Sequence, residues 1–244
     1  MSNAKQSNEL IEQLATTERS FIRFTLGQRW EHVIVIISFT ILLFTGLPQK
    51  YRTTTWSQTI LSTPERVEMI RQIHHIAAVV LIAEVIYHLG FALYLLFKRK
   101  LSGEMFPTWQ DFKDAWQMIK YLLFLSKRKP AFGKYNFEQK FTYWFIFFGI
   151  GIMVITGLIL WFPIFFTQFL PGGIIPAAKL AHSSEAIVAV IFIITWHVYH
   201  NHLERQNLSI FTGRLNEKEY RKFHPLEYQR ITGEKPEPNE AGGR

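Results

Sequence analysis

Four long apolar segments are the feature of this sequence that most restricts its fold. They lie near residues 32–49, 76–97, 143–166 and 181–202. A hydrocarbon core about 30 Å thick is crossed by roughly 20 residues of α-helix. Lipid offers a peptide backbone no hydrogen-bond partners, and these runs lack the alternating pattern of a membrane barrel. We therefore predict an all-α membrane protein, a four-transmembrane-helix bundle over residues 1–203. A polar tail over 204–244 follows, disordered from residue 233.

Composition supports this class and excludes several cofactors. Hydrophobic residues make up 48% of the 244 residues, and cysteine is absent. Without thiolates the chain cannot hold an iron–sulfur cluster, attach a c-type haem or form a disulfide, so any such centre must belong to a partner. Residues 1–20 contain no apolar stretch typical of a cleavable signal peptide. We therefore expect the spans themselves to direct insertion.

The distribution of basic residues predicts the orientation. Of the 27 Lys and Arg residues, 22 lie before the first span, between the second and third spans, and after the fourth. The positive-inside rule then places both termini in the cytoplasm. Topology and contact with membrane lipid account for the net charge of +8, so we expect no nucleic-acid partner.

The loop between the second and third spans contains a candidate surface helix. Large apolar residues such as Trp109, Phe112 and Trp116 recur there among charged residues such as Asp111. This pattern is typical of an interfacial amphipathic helix. A fifth span is the competing interpretation, but the charges in the first half of the segment argue against it.

Histidines inside the spans are the strongest functional signal. An imidazole is costly in hydrocarbon, so each one there is a functional candidate. The second span carries His74 and His88, and the fourth carries His182 and His197. Along a helix the members of each set are separated by about 21 Å and about 22 Å, and they return to nearly the same face. Two facing helices can therefore offer two ligands at each of two depths.

This spacing predicts two haem b groups, each held by two imidazoles as in low-spin electron-transfer haems. The predicted topology places His74 and His182 near the outer surface, and His88 and His197 near the cytoplasmic surface. His32, at the start of the first span, also lies at the cytoplasmic level. The alternative is that individual histidines bridge helices or lie at the interface. That interpretation is preferred for His75, His200 and His202.

Several short motifs together resemble those of a known family over nearly the whole chain. They are Arg29-Trp30-Glu31-His32, Thr45-Gly46-Leu47-Pro48, Ile73-His74, Gly133-Lys134-Tyr135-Asn136-Phe137-Glu138-Gln139-Lys140, Tyr143-Trp144, Thr156-Gly157, His182 and His197-Val198-Tyr199. On these motifs the chain resembles the cytochrome b subunits of membrane-bound formate dehydrogenases, with related subunits in hydrogenases and thiosulfate reductases. The resemblance implies a location in a bacterial or archaeal cytoplasmic (inner) membrane.

The resemblance also implies which histidines bind each haem. It assigns His74 and His182 to the outer haem, and His32 and His197 to the inner haem. Spacing alone pairs His88 with His197, so the two arguments differ at this position. With His32 as the ligand, His88 would be a neighbour of the haem, a proton carrier or the ligand of an additional haem.

A quinone, either menaquinone or ubiquinone, is implied beside the inner haem, with Asn136 and Gln139 as contacts. From the residue pattern alone, Asn136 favours a turn or a helix cap. Since the chain has no nucleophile or substrate motif, we interpret it as the electron-transfer subunit of a respiratory oxidoreductase. Its outer-face partner would be an iron–sulfur subunit or a multihaem c-type cytochrome. The alternatives are a haem-free membrane anchor, a proton-coupled transporter that uses Glu84, and a standalone cytochrome b reductase.

Overall fold

The computed structural model describes residues 19–204 and 208–234, without the side chains of residues 200–204. Helices dominate this part of the chain, with two strands of three residues each. Four helices are long and apolar enough to cross a membrane. The predicted all-α membrane bundle is therefore confirmed. Residues 235–244, most of the segment expected to be disordered, lie outside the described residues.

The helices are α1 (Leu26–Lys50), α2 (Thr55–Ile60), α3 (Pro64–Phe97), α4 (Trp109–Leu122), α5 (Phe137–Trp161), α6 (Pro163–Thr167), α7 (Ile174–Phe192), α8 (Ser209–Thr212), α9 (Glu217–Phe223) and α10 (Pro225–Thr232). The strands are β1 (Ser20–Ile22) and β2 (Arg214–Asn216). Helix α7 continues as a π-helix over Ile193–Glu204. The spanning helices are α1, α3, α5 and the segment Ile174–Tyr199.

Prolines and caps set several ends of the spanning helices. Helix α3 begins well before its apolar run because Pro64 occupies its first turn and Thr63 Oγ1 accepts the Arg66 N–H at 3.4 Å. Helix α5 ends at Trp161, and Pro163, which has no N–H to continue it, begins α6. By contrast, α1 continues through Pro48 to its end.

The chain divides into two compact units. The helical unit comprises residues 26–101 and 142–208, and therefore most of the four spanning helices. The mixed unit comprises residues 1–25, 102–141 and 209–244, as far as these are described.

The mixed unit has a small core built from both ends of the chain. Strand β1 pairs antiparallel with β2, with Phe21 opposite Leu215. The Phe21 ring meets the rings of Tyr220 and Tyr228 edge-on, with centroids 5.5 Å and 6.2 Å apart. Leu215 and both tyrosines are buried. The part of the predicted polar tail from residue 214 to residue 228 thus packs against strand β1.

Helix α4 is the amphipathic helix expected in the second loop. Trp109, Phe112 and Trp116 are exposed, whereas Met118 is buried. The Thr108 N–H and hydroxyl both donate to Asp111 Oδ2, at 2.6 Å and 2.7 Å, which stabilises the first turn. Contact between the exposed aromatic rings and the membrane interface stays a prediction.

Candidate functional site

Two pairs of histidine rings face each other in the helical unit. His74 of α3 and His182 of α7 have ring centroids 6.4 Å apart and ring planes at 65°. His32 of α1 and His197 of the π-helical segment have centroids 6.1 Å apart and planes at 53°. All four rings are partly buried. Each pair therefore joins two spanning helices.

Both separations fit a metal ion held between two imidazoles. A metal that takes an imidazole nitrogen from each side at roughly 2 Å separates the ring centres by about 6 Å. Imidazole is also a common axial ligand of haem iron. In donor type and in ring separation, each pair therefore fits haem b.

Helix α1 holds the His74 ring through two consecutive residues. Thr45 Oγ1 lies 2.9 Å from His74 Nδ1. The same hydroxyl lies 2.7 Å from the carbonyl oxygen of Ile41, one turn earlier in its own helix. A Cβ atom on Gly46 would lie 3.3 Å from the ring carbon Cε1 of His74, which is closer than an ordinary van der Waals contact. Any residue larger than glycine at this position would therefore displace the ring.

Helix α5 holds the His182 ring in the same manner. Thr156 Oγ1 lies 3.0 Å from His182 Nδ1 and 2.7 Å from the Ile152 carbonyl oxygen. A Cβ atom on Gly157 would meet His182 Cε1 at 3.2 Å. We call His74 and His182 the threonine-linked pair, because both rings contact a Thr-Gly dipeptide of a neighbouring helix.

The second pair, His32 and His197, has different surroundings. The residues that precede these histidines, Glu31 and Trp196, form hydrogen bonds with side chains of other helices. Glu31 Oε2 accepts a hydrogen bond from His88 Nδ1 at 2.8 Å, and His88 Nε2 lies 3.0 Å from the Tyr143 hydroxyl. Trp196 Nε1–H donates to Thr142 Oγ1 at 3.0 Å. We call His32 and His197 the network-flanked pair.

The structure distinguishes His32 from His88, the two residues on which histidine spacing and the family resemblance disagree. His32 faces His197, whereas both ring nitrogens of His88 lie in hydrogen bonds with Glu31 and Tyr143. A carboxylate oxygen of Glu84 lies within 4.8 Å of the ligand atoms of Glu31 and His88. His88 is thus part of a polar network beside the pair and does not face His197.

The remaining histidines have other contacts. His75 stacks on Trp161, with centroids 4.0 Å apart and planes at 19°. His224 Nδ1 donates to the Gly133 carbonyl at 2.7 Å in the mixed unit. The side chains of His200 and His202, expected at the interface, fall outside the described part of the structure.

Asn136 and Gln139 cap the start of α5. Asn136 Oδ1 accepts the Gln139 N–H at 2.8 Å, and Gln139 Oε1 accepts the Asn136 N–H at 3.1 Å. This reciprocal arrangement satisfies two backbone donors at a helix start. Asn136 is 2% exposed. The structure therefore gives both residues a capping role, and their contact with a quinone stays a prediction.

An ion pair lies in the first turn of α5. Lys140 Nζ lies 2.9 Å from Asp111 Oδ2, and both side chains are largely buried. Burial acts to raise the pKa of the Asp111 carboxyl, but hydrogen bonds from Lys140 and Thr108 outweigh it and lower the pKa. The Asp111 carboxylate therefore stays charged at neutral pH, and the ion pair joins α4 to α5 within the mixed unit.

Comparison with known proteins supplies the family. The sequence profile of the family described as prokaryotic cytochrome b561 matches residues 23–213. The cytochrome b556(Fdn) subunit of nitrate-inducible formate dehydrogenase from Escherichia coli (strain K12) is 25% identical over 214 residues, 87% of this chain and 92% of that protein. The formate dehydrogenase cytochrome b556 subunit of Haemophilus influenzae is 25% identical over 215 residues, 88% of this chain and 84% of that protein. These matches confirm the predicted resemblance to formate dehydrogenase cytochrome b subunits. The chain therefore belongs to the prokaryotic cytochrome b561 family and is an integral membrane cytochrome b.

Proposed function

We propose that this chain is the dihaem membrane subunit of a respiratory oxidoreductase of the formate dehydrogenase type. The observation that carries the proposal is the presence of two facing imidazole pairs, with ring centroids 6.4 Å and 6.1 Å apart. Haem b, when bound, supplies a one-electron iron couple inside the membrane. Similarity to formate dehydrogenase cytochrome b556 subunits over most of both chains supports a complex of the same kind.

The threonine-linked pair holds one haem and the network-flanked pair holds the other. Each haem would be held by two imidazoles, and these residues would then leave its iron no open position for a substrate. They favour electron transfer over substrate binding. The ligands come from α1, α3 and both parts of the fourth spanning helix, so the packing of these helices keeps the rings in place.

From the predicted topology we place the two pairs on opposite sides of the membrane. The excess of Lys and Arg in three of the five extramembrane segments supports cytoplasmic termini. The threonine-linked pair then lies on the outer side, and the network-flanked pair on the cytoplasmic side. This chain has no cysteine with which to hold an iron–sulfur cluster or a c-type haem, so any such centre belongs to a partner. The outer haem would therefore exchange electrons with an iron–sulfur subunit or a multihaem c-type cytochrome.

A quinone is the proposed partner on the cytoplasmic side. The start of α5, with Asn136 and Gln139, lies on that side in the proposed topology. The resemblance to formate dehydrogenase cytochrome b subunits supports contact of menaquinone or ubiquinone with these two residues. Such contact would involve groups that also cap the helix.

The haem content of single-histidine variants tests this proposal. We expect the purified protein to contain two haems per chain and to show the α-band of b-type haem after dithionite reduction. His182→Ala and His197→Ala should each remove one haem and keep the other, and the retained haem shows that the protein is folded. His75→Ala is the matched control, since His75 stacks on Trp161, and it should keep both haems. A wild-type protein with no α-band would contradict the proposal and favour a haem-free anchor.

A further inference from the structure

We propose that Thr45 and Thr156 are positioning residues that fix the protonation and orientation of His74 and His182. The inference rests on the proposed function, because it takes these two histidines as haem ligands. Each threonine acts together with the glycine that follows it. The two Thr-Gly dipeptides lie on different spanning helices and make matching contacts with the two rings of one pair.

The hydroxyl of Thr45 determines which nitrogen of His74 carries the proton. A threonine hydroxyl has one proton to donate and two lone pairs with which to accept. Its oxygen lies 2.7 Å from the Ile41 carbonyl oxygen, which can only accept, so the hydroxyl proton is used there. His74 Nδ1, 2.9 Å from the same hydroxyl, must therefore be the donor. Nε2 is then the nitrogen with a lone pair available for iron.

The hydroxyl of Thr156 determines which nitrogen of His182 carries the proton in the same way. Thr156 donates to the Ile152 carbonyl at 2.7 Å and accepts from His182 Nδ1 at 3.0 Å. Both rings of the threonine-linked pair therefore carry the proton on Nδ1.

The two glycines contribute to the position of each ring through the ring carbon Cε1, which is bonded to Nδ1. A Cβ at Gly46 or Gly157 would come within 3.3 Å or 3.2 Å of the ring carbon Cε1, which is closer than an ordinary van der Waals contact. The hydroxyl therefore fixes Nδ1 by a hydrogen bond, while the bare glycine backbone allows the neighbouring helix to lie directly against Cε1. Together they fix the direction in which Nε2 points.

A hydrogen bond from Nδ1–H makes an imidazole a stronger donor to the metal through Nε2. A more basic ligand stabilises ferric iron relative to ferrous iron. Removal of either hydroxyl should therefore make the haem of the threonine-linked pair easier to reduce. Loss of such a supporting contact typically weakens metal binding by about 10–100-fold.

Potentiometric titration of the reduced α-band in purified holoprotein tests the inference. Thr45→Val and Thr156→Val keep the side-chain shape but remove the hydroxyl. We expect each to shift one haem midpoint, that of the component missing in His182→Ala, to a more positive value. Thr45→Ser and Thr156→Ser should restore it. Thr195→Val is the control, because Thr195 makes the same bond to its own helix, 2.7 Å to the Ile191 carbonyl, but its side chain is exposed.

The outcomes separate this inference from the proposed function. If His182→Ala keeps both haems, the proposed function fails. If His182→Ala loses one haem but the two valine variants leave its midpoint and its ferric EPR spectrum unchanged, the positioning role is overturned and the function stands. A shift of the same size in Thr195→Val would also overturn the positioning role, since it would reflect a general change in the helices.

Discussion

The two histidine pairs have similar ring separations but are supported differently. In the threonine-linked pair, the rings themselves contact the hydroxyls of Thr45 and Thr156. In the network-flanked pair, the preceding residues Glu31 and Trp196 are bonded to side chains of other helices. Similar separations therefore do not require similar surroundings. Helix packing sets the distance between the rings, while neighbouring side chains set the chemistry around them.

The two pairs also differ in the chemical groups that lie around them. Threonine hydroxyls and glycines contact the threonine-linked rings. The network-flanked pair adjoins groups that can ionise, namely Glu31, Glu84, His88 and Tyr143. Because the described contacts of the two pairs share no residue, a substitution beside one pair should leave the haem at the other unchanged.

The largest expected effect is the loss of a haem from the network-flanked pair. His32→Ala should halve the haem-to-chain ratio because it removes one of the two facing rings. His88→Ala should keep both haems, since both His88 nitrogens already lie in hydrogen bonds with Glu31 and Tyr143. The pyridine haemochrome absorbance per chain measures this ratio. Loss of a haem in His88→Ala together with full content in His32→Ala would reverse the assignment.

Which histidine faces His197 could not be predicted from histidine spacing. Apolar runs and histidine spacing are local properties, so they predict the four spans and the position of each histidine along its helix. The choice between His32 and His88 depends on how α1 packs and rotates against α3 and the fourth spanning helix. Spacing within one helix contains no information about that rotation, and only the family resemblance favoured His32.

The contacts of the Thr-Gly dipeptides with the histidine rings were not predicted from the sequence, where these dipeptides served only as marks of resemblance. Thr45 precedes its histidine by 29 residues and Thr156 by 26. This repeated order, Thr-Gly on one span and histidine on the next, was a usable signal. For Asn136 the local pattern was informative, because Asn followed by Gln three residues later is a capping arrangement, and the structure contains that cap.

An intermediate effect is expected where a ring and a glycine touch. Gly46→Ala and Gly157→Ala should push the His74 and His182 rings by a few tenths of an ångström. We expect haem retention at the threonine-linked pair to weaken by about tenfold, with the other haem unaffected. Haem loss to excess apomyoglobin measures retention.

The matched controls for this prediction are Gly90→Ala on α3 and Gly151→Ala on α5. A Cβ at either position would meet nothing within 4 Å, so both variants should retain haem as the parent does. If the four alanine variants lost haem at the same rate, contact between glycine and ring would have no part in holding the haem. The contrast between the two pairs would then rest on the threonine hydroxyls alone.

The smallest expected effect comes from the network around His88. Tyr143→Phe removes the hydroxyl that lies 3.0 Å from His88 Nε2. Loss of one such hydrogen bond costs about 1 kcal/mol of stability, so we expect a small decrease in unfolding temperature and a small midpoint shift confined to the network-flanked haem. Tyr87→Phe, at an exposed tyrosine stacked on Phe91, is the control and should change neither quantity. An equal midpoint shift at both haems would contradict the separation of the two pairs, because the described hydrogen bond of the Tyr143 hydroxyl is with His88, in the network beside His32.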